Sequence, residues 1–458
     1  MPKCRGKDIT EATIEQLQKW LTDGAFSARD LTSCYLSRIE KLNKRLCAVI
    51  EVNPDALTIA EERDRERANG QYQGILHGIP FLVKDNIATK DKMQTTAGSS
   101  MLIGTEVPAD AHVVYLLRKK GAVLLGHTNM SEWASMRSTY YAEGYSSRGG
   151  QSRNPYNLAE HAGGSSSGSA ISVATNMCAF SLGTETDLSV ILPADRCGVV
   201  GIKPTPGLTS CEGVIPESHN LDTVGTFGRT VADAAIALDG IYQGSKSFAL
   251  HLADIEALKG ARFGTPWLRI WKKAASDETS RIQYDALQGL LQRVKDAGAE
   301  IHPVNLPSIK EVVPQNGSWD WDYPSSRGHP ERSEFTVVKV DFYNDLKKYL
   351  SNLITNPNNI RGLEDVIAYN INHTEREGGV AGTHPAWPTG QDSFDKSFRS
   401  AGIEDNIYHS ALEYIRRKTR EEGFDKALFV NGKELDGLLV PVQADGGVAL
   451  QLAAQAGE

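Results

Sequence analysis

The 458-residue chain has no run approaching the roughly 18 apolar residues that a membrane-crossing helix needs. Behind its opening Met-Pro-Lys-Cys-Arg-Gly-Lys there is no apolar stretch of the kind a secretory leader carries. The sequence therefore predicts no membrane span and a cytoplasmic location. Cysteine is sparse: Cys4, Cys34, Cys47, Cys178, Cys197 and Cys211 are scattered without metal-type spacing and read as reduced thiols. His127 has no second ligand at metal-binding spacing, so it reads as a surface or supporting histidine rather than a metal ligand. No long block of one charge sign occurs. The 49 Lys and Arg are outnumbered by 57 Asp and Glu, and a net charge of −8 argues against a nucleic-acid backbone as partner.

What is present is an apolar fraction of 40 %, enough for a large core. Ile14, Leu17 and Leu21 stand at helical spacing. Ser27 with Asp30 three residues on is a capping-box pattern that opens a second helix, and residues 55–69 form a third. Ile79 to Val83 is a short apolar run bounded by turn residues, a buried-strand pattern, and Lys84 follows it directly. Residues 112–120 read as a helix and 122–125 as a strand. Strand, helix and strand recur at 261–265, 278–298 and 300–304, the alternation of an α/β protein. Two irregular stretches interrupt it. Residues 306–335 carry Trp319, Trp321 and Tyr323, and residues 376–392 carry Gly378, Gly379, His384 and Trp387; such segments are expected to act in substrate choice or as surface excursions.

The most informative stretch is 163–204. Gly163-Gly164-Ser165-Ser166-Ser167-Gly168-Ser169 runs straight into Ala170 to Phe180, long enough for a helix of about three turns. Then come Gly183-Thr184-Glu185-Thr186-Asp187-Leu188-Ser189 and a closing Gly198-Val199-Val200-Gly201-Ile202-Lys203-Pro204. A Gly/Ser linker does not ordinarily abut such a core-forming segment. The pattern suggests two serines brought to one site from two turns. Gly164-Ser165-Ser166-Ser167-Gly168 also satisfies a nucleophile-elbow pattern centred on Ser166. That elbow needs a strand just before it, and residues 153–162 are polar and contain Pro155.

This stretch resembles the amidase signature family of serine amide hydrolases, in wording nearer to the peptide amidase and fungal amidase branch than to the glutamyl-tRNA amidotransferase A subunit. Gly78-Ile79-Pro80 through Lys84-Asp85 and Asp222-Thr223-Val224-Gly225 resemble the same family, and the likeness extends over essentially the whole chain. The resemblance implies a single α/β domain over 1–458 with a mixed central sheet covered by helices on both sides: an N-terminal helical layer to about 70, a signature core over about 74–240 and a later α/β half. Relative to the family pattern, the chain is expected to be shortened after the late strand near 435–441. The implied activity is hydrolysis of a carboxamide to a carboxylate and ammonia or an amine, without metal or cofactor. Ser189 would be the nucleophile, Lys84 the base and Ser165 the relay, following a cis peptide bond. Backbone N–H groups of Thr186, Asp187, Leu188 and Ser189 would form the oxyanion hole. The partner would be a small-molecule amide, with the oligomeric state open. Leu188 departs from the pattern, standing where the family has glycine; at a position needing positive φ a leucine costs roughly 1–2 kcal/mol. A catalytically impaired relative kept for binding or assembly, and a subunit of a transamidating complex, are the alternative readings.

Overall fold

In a computed structural model, residues 3–279, 281–317, 320–442 and 447–458 are described; Trp319 lies outside them. The chain divides into two compact units, one built from residues up to Leu250 together with Asp341–Gly402, the other from His251–Val340 and Ile403–Glu458.

The first unit opens with helices whose ends are written in the sequence. Helix α1 (Ile14–Thr22) is capped by Thr13 and Gln16 reciprocally. Helix α2 (Ala28–Leu46) has the expected capping box, with Ser27 and Asp30 each accepting from the other's backbone N–H. Helix α3 (Ala56–Ala68) follows strand β1 (Val49–Val52). The sheet continues with β2 (Pro80–Lys84), β3 (Val123–Thr128), β4 (Phe180–Glu185), β5 (Val200–Ile202) and β6 (Thr223–Gly228). Its spatial order is β1-β3-β2-β4-β6-β5. The β3–β2 and β2–β4 pairs are parallel, while β1–β3, β4–β6 and β6–β5 are antiparallel. The sheet is thus mixed, as expected. Every residue of β2, β3, β4 and β6 is buried. Because successive side chains point to opposite faces, wholly buried strands mean that both faces are covered. Helices α4 (His112–Lys119), α5 (Ser167–Ala174), α6 (Ile191–Cys197) and α7 (Val231–Ile241) complete the layers.

One expectation is corrected here. The apolar run after the Gly/Ser loop is not a three-turn helix from Ala170 to Phe180. Helix α5 stops at Ala174, Asn176 turns left-handed at φ +55°, and Phe180 already begins β4. The strand wins Phe180 because it pairs opposite Phe81 of β2, and the two rings stack with centroids 5.3 Å apart.

The second unit has a smaller parallel sheet, with β7 (Arg262–Pro266) between β8 (Glu300–Val304) and β9 (Gly437–Leu438). Its core holds Trp271, Leu306, Ile309, Val448 and Leu452. Of the two irregular stretches, 306–335 lies largely in short helical turns, where Trp321 packs on Phe335 at 4.8 Å. In the first unit, the 376–392 stretch packs Trp387 against Tyr145 and under the Arg137 guanidinium, 3.7 Å from the ring centre. No helix among the described residues is long and apolar enough to cross a membrane.

Candidate active site

Strand β2 delivers Lys84 to its end with the side chain wholly buried. Its amine Nζ lies 2.7 Å from Ser165 Oγ, 2.8 Å from Thr184 Oγ1 and 3.1 Å from the Thr184 carbonyl oxygen. Ser165 Oγ lies 2.9 Å from Ser189 Oγ. The three side chains that the sequence singled out, from three separate segments, therefore form one continuous chain of contacts. A neutral amine has two N–H donors and one lone pair. All three Lys84 contacts are to oxygens, two on Thr184 and one on the Ser165 hydroxyl; they suit the charged amine with three donors as well as the neutral one with two donors and a lone pair toward Ser165.

Electrostatics favour that neutral form. Burial pushes the Lys84 amine down from 10.5 to about 7, against the opposing pull of Glu217, Asp222, Glu185 and Glu143. Those carboxyls are themselves pushed up by burial where a shift is resolved: Glu185 and Glu143 above their ordinary range, and Asp222 up to about 6.

The loop around Ser165 is held from several sides. The Gly164–Ser165 peptide is cis. The Ser131 N–H donates to the Ser165 carbonyl (3.0 Å), and the Ser166 N–H donates to the Ser189 carbonyl (3.1 Å), tying the Gly/Ser loop to the second serine's turn. Ser166 Oγ donates to the Thr184 carbonyl and accepts from the Thr184 N–H. Residues 153–162 contain no strand, so the context required by an elbow at Ser166 is missing.

The turn between β4 and α6 carries Thr186, Asp187, Leu188 and Ser189. Leu188 is buried and left-handed at φ +59°, the conformation in which a glycine is at ease. The backbone N–H groups of Thr186, Leu188 and Ser189 donate to no protein acceptor among the described residues. Buried N–H groups are almost always paired, so a cluster of open ones is notable. Glu185 anchors the following helix, its Oε2 accepting from the N–H groups of Val190 (2.5 Å) and Ile191 (3.0 Å).

Several contributors were not read from the sequence. Thr184 supplies two of the three Lys84 contacts, and Asn86 Nδ2 donates to the same hydroxyl (3.0 Å). Asp85, next to Lys84, accepts from His127 Nδ1 (2.9 Å) and from the Thr96 hydroxyl and Gly98 N–H. His127 is thus a fully buried supporting residue, with Nε2 against Thr89 Oγ1. Thr186 Oγ1 contacts both Glu217 and Asp222. The signal for most of these was their adjacency to residues already singled out.

Comparison with known proteins gives a match to the amidase family model over residues 30–326. The chain belongs to the amidase family. It is accordingly a hydrolase of amide carbon–nitrogen bonds. It is 47 % identical over 479 residues to a Schizosaccharomyces pombe protein named as an amidase, covering 100 % of this chain and 80 % of that one. An Arabidopsis thaliana amidase relative is 41 % identical over 385 residues, with 81 % and 70 % covered. Among solved structures, peptide amidase from Stenotrophomonas maltophilia superposes with a TM-score of 0.82 at 36 % identity, over 98 % of this chain and 89 % of that one. The amidase fold expected from the sequence is the observed one.

Proposed function

We propose that this amidase cleaves small carboxamides through an acyl-enzyme, with Ser189 as nucleophile, Ser165 as proton relay and Lys84 as base. The observation that carries the reading is the contact chain Lys84 Nζ–Ser165 Oγ–Ser189 Oγ, at 2.7 and 2.9 Å, ending on an amine that burial brings to about 7. Serine is a weak nucleophile until a neighbour removes its proton. Ser189 Oγ attacks the carbonyl carbon as its proton passes to Ser165 Oγ, and the Ser165 proton passes to Lys84 Nζ. The developing oxyanion is met by the open N–H groups of the 186–189 turn. The ammonium then returns its proton through Ser165 to the departing nitrogen, and the C–N bond breaks. Water enters by the same relay, its hydroxyl adding to the acyl carbon and its proton passing through Ser165 to Lys84; as the bond to Ser189 breaks, Lys84 returns that proton through Ser165 to Ser189 Oγ, and the acid product leaves as its carboxylate, giving its own proton to solvent. No cofactor is needed for these steps. The irregular 376–392 stretch, with its aromatic packing, is a candidate for substrate choice. The six cysteines are all free thiols, which fits a cytoplasmic setting.

The test is intact-protein mass after reaction with a fluorophosphonate serine probe. Wild type is expected to take one adduct, and Ser189→Ala none. Lys84→Ala should lose about 10³-fold or more in labelling rate while unfolding at a temperature that marks a folded protein. An adduct that persists in Ser189→Ala would remove Ser189 from the mechanism.

A further inference from the structure

Glu143 lies beside the relay serine without belonging to the relay. Its Oε1 accepts from the Ser131 hydroxyl at 2.6 Å, and the Ser131 N–H donates to the Ser165 carbonyl at 3.0 Å. The same carboxyl fills the space at Gly164, where a Cβ would come within 2.0 Å of Oε1. The glycine therefore admits the acid to within one residue of Ser165. Bracing Ser131 does not call for a charge: its hydroxyl accepts from the Gly144 N–H (2.8 Å) and needs only one acceptor, charged or neutral, for its own proton. Among the described residues no cationic side chain forms an ion pair with Glu143, and the residue is only half-buried. A carboxyl drawn partly out of water, with no cation bonded to it and a reaction centre beside it, is placed to meet a charge that arrives with the substrate.

We propose that Glu143 is a specificity-determining residue whose carboxylate receives an ammonium group of the substrate, so that the preferred substrates are amides carrying a protonated amine next to the carboxamide, the chemistry of an amino-acid amide. The inference deepens the Ser189–Ser165–Lys84 reading above and rests on it. Gly164 is the immediate neighbour of Ser165, whose hydroxyl lies 2.9 Å from Ser189 Oγ. A cation held at Glu143 therefore stands close to the carbonyl under attack, as an α-ammonium does. The loop that carries Glu143 is tied to the irregular 376–392 stretch: the Ala142 N–H donates to the Ala386 carbonyl (2.7 Å), and the Thr139 hydroxyl to Asp392 (2.5 Å). The acid thus belongs to the part of the first unit already singled out for substrate choice.

The charges around the site favour the same class. Glu143, Glu217 and Asp187 all act on the Tyr141 hydroxyl, so Tyr141 is a neighbour common to Glu143 and to the turn that bears Ser189. Two cations act on Glu143. One is Lys84, which burial brings down to about 7, and the other is Arg196, whose Nη2 lies 3.0 Å from His161 Nε2. Burial pushes the Glu143 carboxyl above its ordinary range, against the pull of Ser131, Lys84, Arg196 and Tyr141. An ammonium brought by the substrate adds to that pull and favours the ionised acid. A place with this balance attracts a cation and repels an anion.

A purely structural role, with Glu143 only bracing Ser131, predicts no preference for charge. The experiment reads the concentration of an amide that halves the rate of fluorophosphonate labelling of Ser189 at pH 7. Alaninamide, whose α-amino group is largely protonated there, is set against isobutyramide, which has a methyl group in its place. Succinamate supplies an anionic amide. Wild type should be protected by alaninamide at a concentration about tenfold or more below that of isobutyramide, and least by succinamate. Glu143→Gln keeps an acceptor for Ser131 and loses the charge, so its two half-protecting concentrations should come within about threefold of each other. The comparison is made within each protein, so a change in the labelling rate itself cancels. Equal protection of wild type by the two amides would overturn the proposal, as would protection by neither. A tenfold preference that survives in Glu143→Gln would place recognition elsewhere and overturn it too. If Glu143→Gln does not fold, Glu143→Ala carries the same expectation. Failure of wild-type Ser189 to label at all would instead sink the triad reading, so the two failures are distinguishable.

Discussion

Leu188 sits at φ +59° directly before Ser189, where an L-residue with a branched side chain is strained by roughly 1–2 kcal/mol. The rest of the turn holds it there: Leu192 N–H donates to the Leu188 carbonyl (2.9 Å), opening α6, and Glu185 accepts from the N–H groups of Val190 and Ile191. Two substitutions separate the strain from the packing. Leu188→Ala keeps the strain and loses the buried side chain, whereas Leu188→Gly loses the side chain and the strain together. Chemical denaturation should therefore find the glycine variant more stable than the alanine variant by about 1 kcal/mol, the reverse of their order in a helix. At this scale the sequence was legible where function is tied to local wording. Lys84 follows a recognisable buried-strand run, and the two serines sit in turns of unusual composition. Thr184, Glu217 and Asp222 were on the page as letters but not as parts. Their roles come from contacts across 18 to 100 positions of chain, such as Thr184 with Ser166 or Lys84 and Asp222 with Thr186, which no local pattern encodes.

Among the elements, α5 shows why the Gly/Ser loop is a packing device and not a linker. Gly168, on its first turn, lies so close to the chain at Ala48 and Asn129 that a Cβ there would meet the Ala48 carbonyl oxygen and come within 2.5 Å of the Asn129 nitrogen, both backbone atoms that cannot swing aside. Its own N–H donates to the Asn129 carbonyl at 2.9 Å. Gly289, inside helix α8 (Arg281–Asp296), has open space where its Cβ would go. The same change should therefore act with opposite signs. Gly168→Ala should destabilise by about 3 kcal/mol or more, or prevent folding, and Gly289→Ala should stabilise by about 0.5–1 kcal/mol, both read from denaturant midpoints. Helix existence was well marked in the sequence, through Ser27 with Asp30 and the periodic Ile14, Leu17 and Leu21. The end of α5 was not. An apolar run of helix-compatible residues does not reveal that Phe180 will be claimed by a strand partner almost a hundred residues earlier, at Phe81.

For the whole molecule, the buried lysine makes stability depend on pH. Its folded value of about 7 lies below the 10.5 of the unfolded chain, so between these values the unfolded state binds more protons and stability rises with pH. Lys84→Met removes that titration. The unfolding free energy of wild type relative to Lys84→Met should increase by about 2 kcal/mol from pH 7 to pH 9, measured by denaturation of both proteins in parallel. A flat difference would mean that the lysine is not buried as a nearly neutral amine. The sign holds whatever hydrogen bonds the methionine forfeits, because those do not titrate in this window.

The make-up of the first unit, from residues up to Leu250 and from Asp341–Gly402, has a consequence in time. A ribosome makes the chain from one end, and Lys84, Ser165 and Ser189 leave it long before the later piece of their own unit. That piece is not filler. Asp341 accepts from the Ser218 hydroxyl (2.5 Å) and from Asn220 (3.0 Å), and Asp345 accepts from the His219 N–H (3.0 Å), so the segment between Glu217 and Asp222 gains these anchors only once residues 341–345 have emerged. The nascent chain thus carries Ser165 and Ser189 for more than a hundred further codons before these anchors of the 217–222 segment are in hand, and on the proposed mechanism a competent nucleophile should appear later than the residue that supplies it.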